Sequence, residues 1–339
     1  MKIFISYKTK GKAWGGGNQF LKNLKEQFFK MGNICNHPKD ADIILFNSHH
    51  NLIETLIYKI KYPNKKFIHR IDGPISSYRG GREIILDELI YLFNSKISNG
   101  TIFLSKWSRD ENIKKGYILN NNEKIIYNAP NNQIFKEKKY SLINQNRKLK
   151  ILASSWSNNL LKGFDIFKYL DENLDFNKYQ MTFVGNTKIK FRNIKIINPV
   201  KSELLNNYIE NSDVFIFASK IESCSNLLIE AMSTGIPVLV INGTSNNEIF
   251  NSNGYIFKDK TDVIHQLEKL INNYENLKVE KRYFLDDTIK KYYNFFQNII
   301  KDQKQKKISL IITFELFLKY FYFKIQNKFK FWKEKILTK

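Results

Sequence analysis

Short apolar runs alternate with longer segments of helical periodicity along the first half of the chain. Runs rich in β-branched and aromatic residues predict strands at residues 2–7, 41–48, 65–70, 100–105 and 124–129. After Asn18, apolar residues return every three or four positions through Phe29, which predicts a helix with one apolar face. Strands that alternate with helices in this way are typical of a parallel sheet in an α/β fold.

The same alternation starts again after residue 148. Strands are predicted at residues 149–155, 179–185, 193–197 and 213–219, with helices between them and closing helices to about residue 300. A stretch rich in lysine and asparagine, 136–148, is predicted to be a linker. Because 339 residues exceed what one hydrophobic core usually fills, we predict two doubly wound α/β domains. The predicted limits are 1–145 and 149–300, followed by a helical tail at 301–339.

The chain is strongly basic, with a formal net charge of +23, but only seven of its 55 basic residues are arginine. Proteins that read nucleic acid usually combine arginine with a recognisable motif, and the sequence shows neither, so no nucleic-acid partner is expected. Cys35 and Cys224 lie far apart and give no disulfide framework. Without a signal peptide at the start or an apolar run suited to span a bilayer, a cytoplasmic location is expected.

Residues 220–239, IESCSNLLIEAMSTGIPVLV, place two glutamates around the predicted start of a helix. Glu222 follows a predicted strand, and Ser225 or Asn226 is a suitable N-cap. The helix is predicted to end at Gly235, before a proline. Because ligands of parallel sheets bind beyond the carboxyl ends of the strands, this segment is the first candidate for a binding site.

The amides of Asn226 and Leu227 would suit a pyrophosphate, and Glu230, one turn further along, could reach a diol. Glu222 would then face the opposite end of a phosphate-linked ligand. The alternative is that Glu222 is a solvated loop residue and Glu230 a charge on the outer face of the helix. Spacing alone leaves the two interpretations about even, and the position beyond a strand and across a helix start favours a ligand site.

Two further segments place glycine or lysine at the start of a predicted helix. In GGGNQF, residues 15–20, the glycines permit close approach to an anion and Asn18 can cap the helix; the alternative is an ordinary tight turn. In NNLLKGFDIF, Lys162 stands before Gly163 and can neutralise a leaving phosphate. The alternative for Lys162 is one more surface lysine in a lysine-rich chain.

HRIDGP, residues 69–74, ends a predicted strand with polar side chains and a turn. His69 or Asp72 could meet substrate hydroxyls, and Arg70 could hold an anion. The alternative is a capped loop with an Asp-Gly turn. The sequence has no cluster of cysteine, histidine and carboxylate at ligand spacing, so no metal is expected. No cofactor is expected either.

The segments GGGNQF, HRIDGP, FLSKWS, IIYNAPNNQIF, SSWSNNLLKGFD, FVGN and ESCSNLLIEAMSTGIPVLV occur in this order from about residue 1 to 300. Together they resemble the retaining glycosyltransferases of family 4, and the last segment, with its two glutamates, is the most specific. The resemblance implies a GT-B fold, in which two Rossmann-like domains face a central cleft. It also implies transfer, without a metal and with retention of configuration, from a nucleotide-sugar donor to a glycan or lipid-linked acceptor.

Carried over by position, the resemblance assigns roles to individual residues. Glu230 would bind the ribose hydroxyls of the donor, and Glu222 the hydroxyls of its sugar. Lys162 would neutralise the diphosphate, while His69 and Asp72 lie in the segment that faces the transferred sugar. The remaining donor-binding residues implied by the resemblance are Gly16, Gly17, Ser225, Asn226 and Leu227.

Two positions depart from the family pattern. Trp156 stands where many members have an arginine that pairs with the diphosphate, and Asn247 replaces a proline before Glu248. The first departure removes one of the groups that the resemblance would place on the diphosphate. It therefore leaves open a second hypothesis, a GT-B protein that binds nucleotide-sugar without turnover.

The tail, residues 301–339, holds eleven lysines against three acidic residues. Apolar residues recur among these lysines at helical spacing, at Ile325, Phe329, Trp332 and Ile336. A basic helix with an apolar, aromatic stripe suits an anionic membrane surface, so residues 324–339 are predicted to attach the protein peripherally at the cytoplasmic face. The alternative is a helix that packs its stripe on the protein's own body.

Overall fold

The computed structural model of the chain comprises two compact units. It describes the backbone of residues 1–8, 16–80, 83–120, 122–138, 147–250, 253–277, 283–302 and 305–337, and their side chains except at 16 and 329–337. Unit 1 consists of Met1–Lys8, Lys25–Ile126 and Lys291–Lys339, and unit 2 of Thr9–Leu24 and Tyr127–Lys290. The predicted domain limits stay a prediction, and residues 139–146 of the predicted linker lie outside the described part.

Unit 1 is built on a parallel sheet in which neighbouring strands follow one another in sequence. Its strands are β1 (Ile3–Ser6), β2 (Ile43–Asn47), β3 (Lys66–Ile71), β4 (Gly100–Phe103) and β5 (Glu123–Ile125). The helices of this part of the chain are α1 (Gly16–Lys30), α2 (Leu52–Lys61), α3 (Ile75–Arg79), α4 (Ile84–Ile97) and α5 (Lys106–Lys114). An isolated parallel bridge pairs Ile3 with Ile34, so β1 has β2 on one side and the segment at Ile34 on the other.

Unit 2 contains a six-stranded parallel sheet with the order β11-β10-β9-β6-β7-β8. Its strands are β6 (Leu149–Ser155), β7 (Tyr179–Gly185), β8 (Lys195–Ile197), β9 (Val214–Phe217), β10 (Val238–Ile241) and β11 (Gly254–Phe257). Its helices are α6 (Phe164–Asn173), α7 (Ser202–Glu210), α8 (Asn226–Thr234), α9 (Asn246–Ile249) and α10 (Val263–Asn272). The order of the strands reverses between β6 and β9, and ligands of such sheets bind at this switch point.

Two closing helices follow, α11 (Leu285–Lys301) and α12 (Leu310–Leu337). Helix α12 packs against α2 and α4, and its Leu316 is fully buried in the core of unit 1. Within the described ranges, no helix is both long enough and apolar enough to cross a membrane.

The central strands of both sheets are buried along their whole length, as in β2, β9 and β10. Helices that cover both faces of a parallel sheet explain why these strands appear in the sequence as continuous apolar runs. The structure confirms the predicted α/β class with two parallel sheets, although the strand expected at 124–129 is only Glu123–Ile125.

Strand β11 differs from the prediction, which places only helices in the region after β10. The sequence feature that marks this strand is Gly254, and in the structure this glycine has a φ of +140°. A Cβ atom at this position would lie 1.8 Å from the carbonyl oxygen of Val238. Only glycine therefore allows β11 to pair this closely with β10.

Candidate functional site

The loop after β6 is fixed to the end of β9 by Gly163. This residue has a φ of +83°, and a Cβ atom here would lie 2.1 Å from the carbonyl oxygen of Ala218. The amide of Lys220 also donates to the carbonyl of Leu161 over 2.8 Å. Since β6 and β9 are neighbours in the sheet, these contacts bring the segments that follow them together at the switch point.

Lys162 and Glu222 meet at this place. Lys162 ends a short 3-10 turn after β6, and its Nζ lies 2.6 Å from Oε1 of Glu222, which follows β9. The two side chains are partly open to solvent, with exposures of 25% and 16%. The backbone of Glu222 is held from the other direction, because its amide donates to Oγ1 of Thr244 over 3.1 Å. The structure thus unites two predicted site residues that lie sixty positions apart.

Helix α8 begins beside Glu222, and its limits agree with the prediction. Ser225 is the N-cap, with its hydroxyl accepting from the amide of Leu228 over 3.3 Å. Gly235 ends the helix in the left-handed region, at a φ of +84°. The first amides of a helix have no acceptor within it and carry partial positive charge, so the start of α8 suits an anion.

Asn128, which is not among the predicted site residues, holds the start of α8 in place. Asn128 donates from Nδ2 to Oδ1 of Asn226 over 2.7 Å, and both side chains are buried. The amide of Asn128 also approaches Sγ of Cys224 at 3.4 Å. Asn128 lies in the segment IIYNAPNNQIF, but its spacing gave no sign of the element it would contact. The side chain of Asn226 is therefore engaged in fixing the helix start. The next residue, Leu227, is half-buried.

Glu230 differs from Glu222 in its surroundings. It lies one turn into α8, and only 7% of it is exposed. Burial raises the pKa of this carboxyl to about 8, because the ionised form is penalised away from water. The two glutamates therefore present different chemistry: one is paired with a lysine, and the other holds its proton near neutral pH.

The ends of β6 and β7 form the neighbouring part of the same edge. Gly185 has a φ of +145°, and a Cβ atom there would lie 1.9 Å from the carbonyl oxygen of Ser155. Asn186 donates from its amide to Ser155 and from Nδ2 to the carbonyl of Trp156, over 2.9 and 2.7 Å. Trp156 is half-buried at this edge.

His69 lies in the core of unit 1. Its ring is fully buried and stacked on Phe46, with the ring centroids 4.0 Å apart. Nε2 donates to the carbonyl oxygen of Ser48 at 2.9 Å, and Nδ1 accepts from Asn94 at 3.2 Å. Burial lowers the pKa of His69 to about 3, so the ring is neutral. Both ring nitrogens are thus occupied within the protein, which favours a structural role over the predicted catalytic one.

Arg70 and Asp72 form a pair at the end of β3. The guanidinium of Arg70 is fully buried, and its Nη1 lies 3.1 Å from Oδ1 of Asp72. Asn47 accepts from the same nitrogen over 2.6 Å, and Tyr292 from Nε over 3.2 Å. The guanidinium is therefore held by protein groups, whereas Asp72 keeps a third of its side chain open to solvent.

Helix α1 begins at Gly16, two residues before the predicted cap, Asn18, which instead lies within its first turn. At Gly17 a Cβ atom would have no neighbour within 4 Å. Residues 16–24 belong to the same compact unit as Lys162 and Glu222. Gly15 of the segment GGGNQF lies outside the described residues.

Across the described residues, no three or more histidine, cysteine, aspartate and glutamate side chains converge in a way that could hold a metal ion. Independence from metal stays a prediction.

The region around the Lys162–Glu222 pair matches a known family model. The model described as glycosyl transferases group 1 matches residues 162–273, which contain Lys162, Glu222 and all of α8. A curated relative, the capsular polysaccharide biosynthesis glycosyltransferase CapH of Staphylococcus aureus, is 26% identical over 209 residues. This match covers 56% of the present chain and 54% of CapH, so the chain matches only about half the length of that relative.

Solved structures show the same fold over most of the chain. Anabaena Alr3699/HepE in complex with UDP and glucose superposes with a TM-score of 0.66 at 14% identity, covering 89% of this chain and 98% of HepE. Sucrose-phosphate synthase from Thermosynechococcus elongatus gives a TM-score of 0.65 at 11% identity, covering 88% and 95% of the two chains. At these identities the likeness shows the fold, which is GT-B as predicted.

Proposed function

We propose that this chain, a GT-B protein with a glycosyl transferases group 1 domain at residues 162–273, transfers a sugar from a nucleotide-sugar donor to an acceptor hydroxyl. The observation that carries the proposal is the contact of 2.6 Å between Lys162 and Glu222 at the switch point of the unit 2 sheet. A cation and a carboxylate stand here beside a helix start that favours anions, and a nucleotide-sugar offers both a diphosphate and sugar hydroxyls.

In the proposed complex, the diphosphate lies against the start of α8 at Ser225, Asn226 and Leu227. Lys162 neutralises it, while Glu222 accepts hydrogen bonds from hydroxyls of the sugar. Glu230, one turn along α8, accepts from the ribose. In the structure, Lys162 pairs with Glu222, so a diphosphate would compete with this carboxylate for the lysine. HepE, which shares the fold, is described in complex with UDP and glucose.

The bond between the anomeric carbon and the diphosphate oxygen breaks in this reaction, and a bond to the acceptor oxygen forms. Negative charge grows on the departing diphosphate, so a lysine and helix amides already in place lower the barrier by electrostatic stabilisation. We propose retention of configuration, with the acceptor hydroxyl attacking an oxocarbenium-like centre from the face that the diphosphate leaves. The hydroxyl proton then passes to the departing diphosphate. These steps use no metal.

The proposed acceptor is a growing glycan or a lipid-linked glycan of cell-surface polysaccharide synthesis. CapH, the relative named for capsular polysaccharide biosynthesis, supports this class of acceptor. Transfer to a lipid-linked glycan would take place at the cytoplasmic face of the membrane, with the protein attached peripherally. The lysine-rich composition does not lead us to propose a nucleic-acid partner.

A second candidate is a protein that binds nucleotide-sugar without transferring the sugar. The observation in its favour is Trp156, half-buried at the end of β6 where many members of the resembled family have an arginine. The two candidates differ in one measurable product, the nucleoside diphosphate that only transfer or hydrolysis releases.

The test is release of nucleoside diphosphate from a panel of nucleotide-sugars, with and without glycan acceptors. Glu222→Ala should abolish release, because the variant lacks the carboxylate that accepts hydrogen bonds from hydroxyls of the donor sugar. The matched control is Glu172→Ala in α6, which removes a glutamate that is 54% exposed and lies 3.9 Å from Lys168, and which should keep the wild-type rate. Retention is checked by the anomeric configuration of the product in NMR spectra.

A wild-type protein that binds a nucleotide-sugar but releases no diphosphate from it would favour the second candidate. An unchanged rate in Glu222→Ala would show that the proposed site is wrong. Thermal-shift measurements on the same panel identify the donor, because a bound ligand raises the unfolding temperature by mass action.

A further inference from the structure

Helix α12 has one face that packs on unit 1. Leu316 is fully buried there, and α12 contacts α2 and α4. Further side chains of this inner face pack against the same core while partly buried, at Ile312, Phe317, Tyr320 and Phe323, and Ile308 does so just before the helix. The first half of α12 is therefore fixed to the body of the protein. The packing alternative for the stripe at 324–339 stays a prediction, because the side chains of 329–337 lie outside the described part.

The opposite face of α12 is apolar as well, but it is open to solvent. Seven large side chains there are between 51% and 89% exposed, and we call them the outer stripe: Leu310, Ile311, Phe314, Leu318, Phe321, Tyr322 and Ile325. At about 100° per residue, these positions fall within roughly a third of the helix circumference. Helices of globular proteins usually place charged and polar residues on this face, so the outer stripe is an exposed apolar surface with a role to explain.

Lysines border the outer stripe on both edges. On the helical wheel Lys319 lies beyond one edge, and Lys324 and Lys328 lie along the other; all three are exposed. Residues 310–328 contain these three lysines against one acidic residue, Glu315. The Nζ atom of Lys324 lies 5.4 Å from the centre of the Tyr320 ring. Apolar side chains with ammonium groups at both edges match the boundary between lipid chains and anionic headgroups.

We propose that the outer stripe of α12 docks on an anionic membrane surface, with the helix lying in the plane of the interface. Charge complementarity favours this occupant over a second copy of the chain, whose own lysines would face those of the first. The docking surface is thus residues 310–325, with the side chains of 314, 318 and 321 at its centre. The surface predicted from sequence, 324–339, begins where the described stripe ends, and the side chains of 329–337 lie outside the described part.

Membrane docking rests on the proposed function only for its purpose: docking would bring a lipid-linked acceptor to the donor site. The test is co-sedimentation of the full chain with vesicles of phosphatidylcholine, with or without phosphatidylglycerol. The stripe variant Phe314→Ser/Phe321→Ser/Ile325→Ser should bind anionic vesicles at least about tenfold more weakly than wild type. Its matched control, Phe29→Ser/Ile118→Ser/Leu119→Ser, removes three other exposed apolar side chains of unit 1 and should bind like wild type.

Replacing Lys319 and Lys324 with glutamine should weaken binding to anionic vesicles roughly fivefold per lysine, and should leave the weaker binding to neutral vesicles unchanged. Equal sedimentation of the stripe variant and wild type would overturn the proposal, as would a wild-type protein that stays in the supernatant. A wild-type dimer that the stripe variant loses, without vesicle binding in either, would identify a second copy as the occupant and would also overturn it.

The same samples separate this inference from the proposed function. The stripe variant should keep the thermal shift that the donor identified in the nucleotide-sugar panel produces in wild type, because α12 contributes no residue to the proposed donor site. Glu222→Ala should bind vesicles like wild type even where its release of diphosphate is lost. Failure of vesicle binding with diphosphate release intact would count against the docking surface alone.

Discussion

A nucleoside diphosphate should bind this protein more tightly as the pH rises from 7 to 9, because of Glu230. Burial raises the pKa of this carboxyl to about 8, whereas ribose hydroxyls donate best to the ionised form. About one carboxyl in ten is then ionised at pH 7, and about nine in ten at pH 9. Because the apparent affinity scales with the fraction of protein that is competent to bind, Kd should fall roughly tenfold over this range.

Isothermal titration calorimetry with UDP at pH 7, 8 and 9 measures this change. Repeating the titration in two buffers of different ionisation enthalpy counts protons, and about 0.9 proton should be released per UDP bound at pH 7. The second ionisation of a phosphate group lies near pH 6, below the range, so the signal belongs to the protein. Glu230→Gln cannot ionise, and its Kd should be weaker and independent of pH.

A wild-type Kd that stays constant between pH 7 and 9 would refute the reasoning about Glu230. The same holds if Glu230→Gln retains the wild-type dependence on pH, since the titrating group would then lie elsewhere. Glu172→Gln, which changes a carboxylate that is 54% exposed, serves as the control and should reproduce the wild-type slope.

Two further substitutions test the geometry of the site. Gly163→Ala should lower the free energy of unfolding by about 3 kcal/mol or more in urea denaturation, because its Cβ would meet the carbonyl of Ala218 at 2.1 Å. The same variant should lose turnover. Its control is Gly32→Ala, at a φ of +69° with open space around it, which should lower the free energy of unfolding by about 1 kcal/mol. A loss as small as that of Gly32→Ala would show that the loop after β6 can move away from β9. Lys162→Met should reduce kcat at least about a hundredfold in steady-state assays, whereas Lys220→Met, which removes a lysine paired with a different carboxylate, should stay near wild type. Similar rates in both lysine variants would contradict the role given to Lys162.

The limits of α8 could be read from sequence because they depend on neighbouring residues. The hydroxyl of Ser225 caps the amide three residues later, and Gly235 adopts the left-handed conformation that ends the helix. Such signals act within one turn of chain and need no tertiary contact. The position of Glu222 after a strand was predictable for a similar reason, since continuous apolar runs mark buried parallel strands.

His69 shows where this kind of reasoning stops. Its sequence predicts a site residue, because it is polar and lies near the end of a strand. Both faces of β3 are covered, so its sequence does not alternate in a way that tells a buried side chain from an open one. Only the packed structure shows the ring stacked on Phe46 and bonded to Ser48 and Asn94.

Helix α12 shows the same limit of sequence information. Sequence alone determined that α12 is apolar, basic and helical. It could not determine which apolar residues pack on unit 1, because two apolar faces of one helix have the same periodicity. The neighbours α2 and α4 decide this, by burying Leu316 and leaving Phe314 and Phe321 in solvent.

Sequence by itself thus determined the fold class, the helix with its cap, and the two glutamates beside it. The tertiary structure decided that Lys162 meets Glu222, that Asn128 holds Asn226, and that Glu230 is buried enough to keep its proton. The physical reason is the range of the interactions. Caps, turns and periodicity are fixed within a few residues of chain, whereas ion pairs, burial and pKa depend on segments that only the order of strands in the sheet brings together.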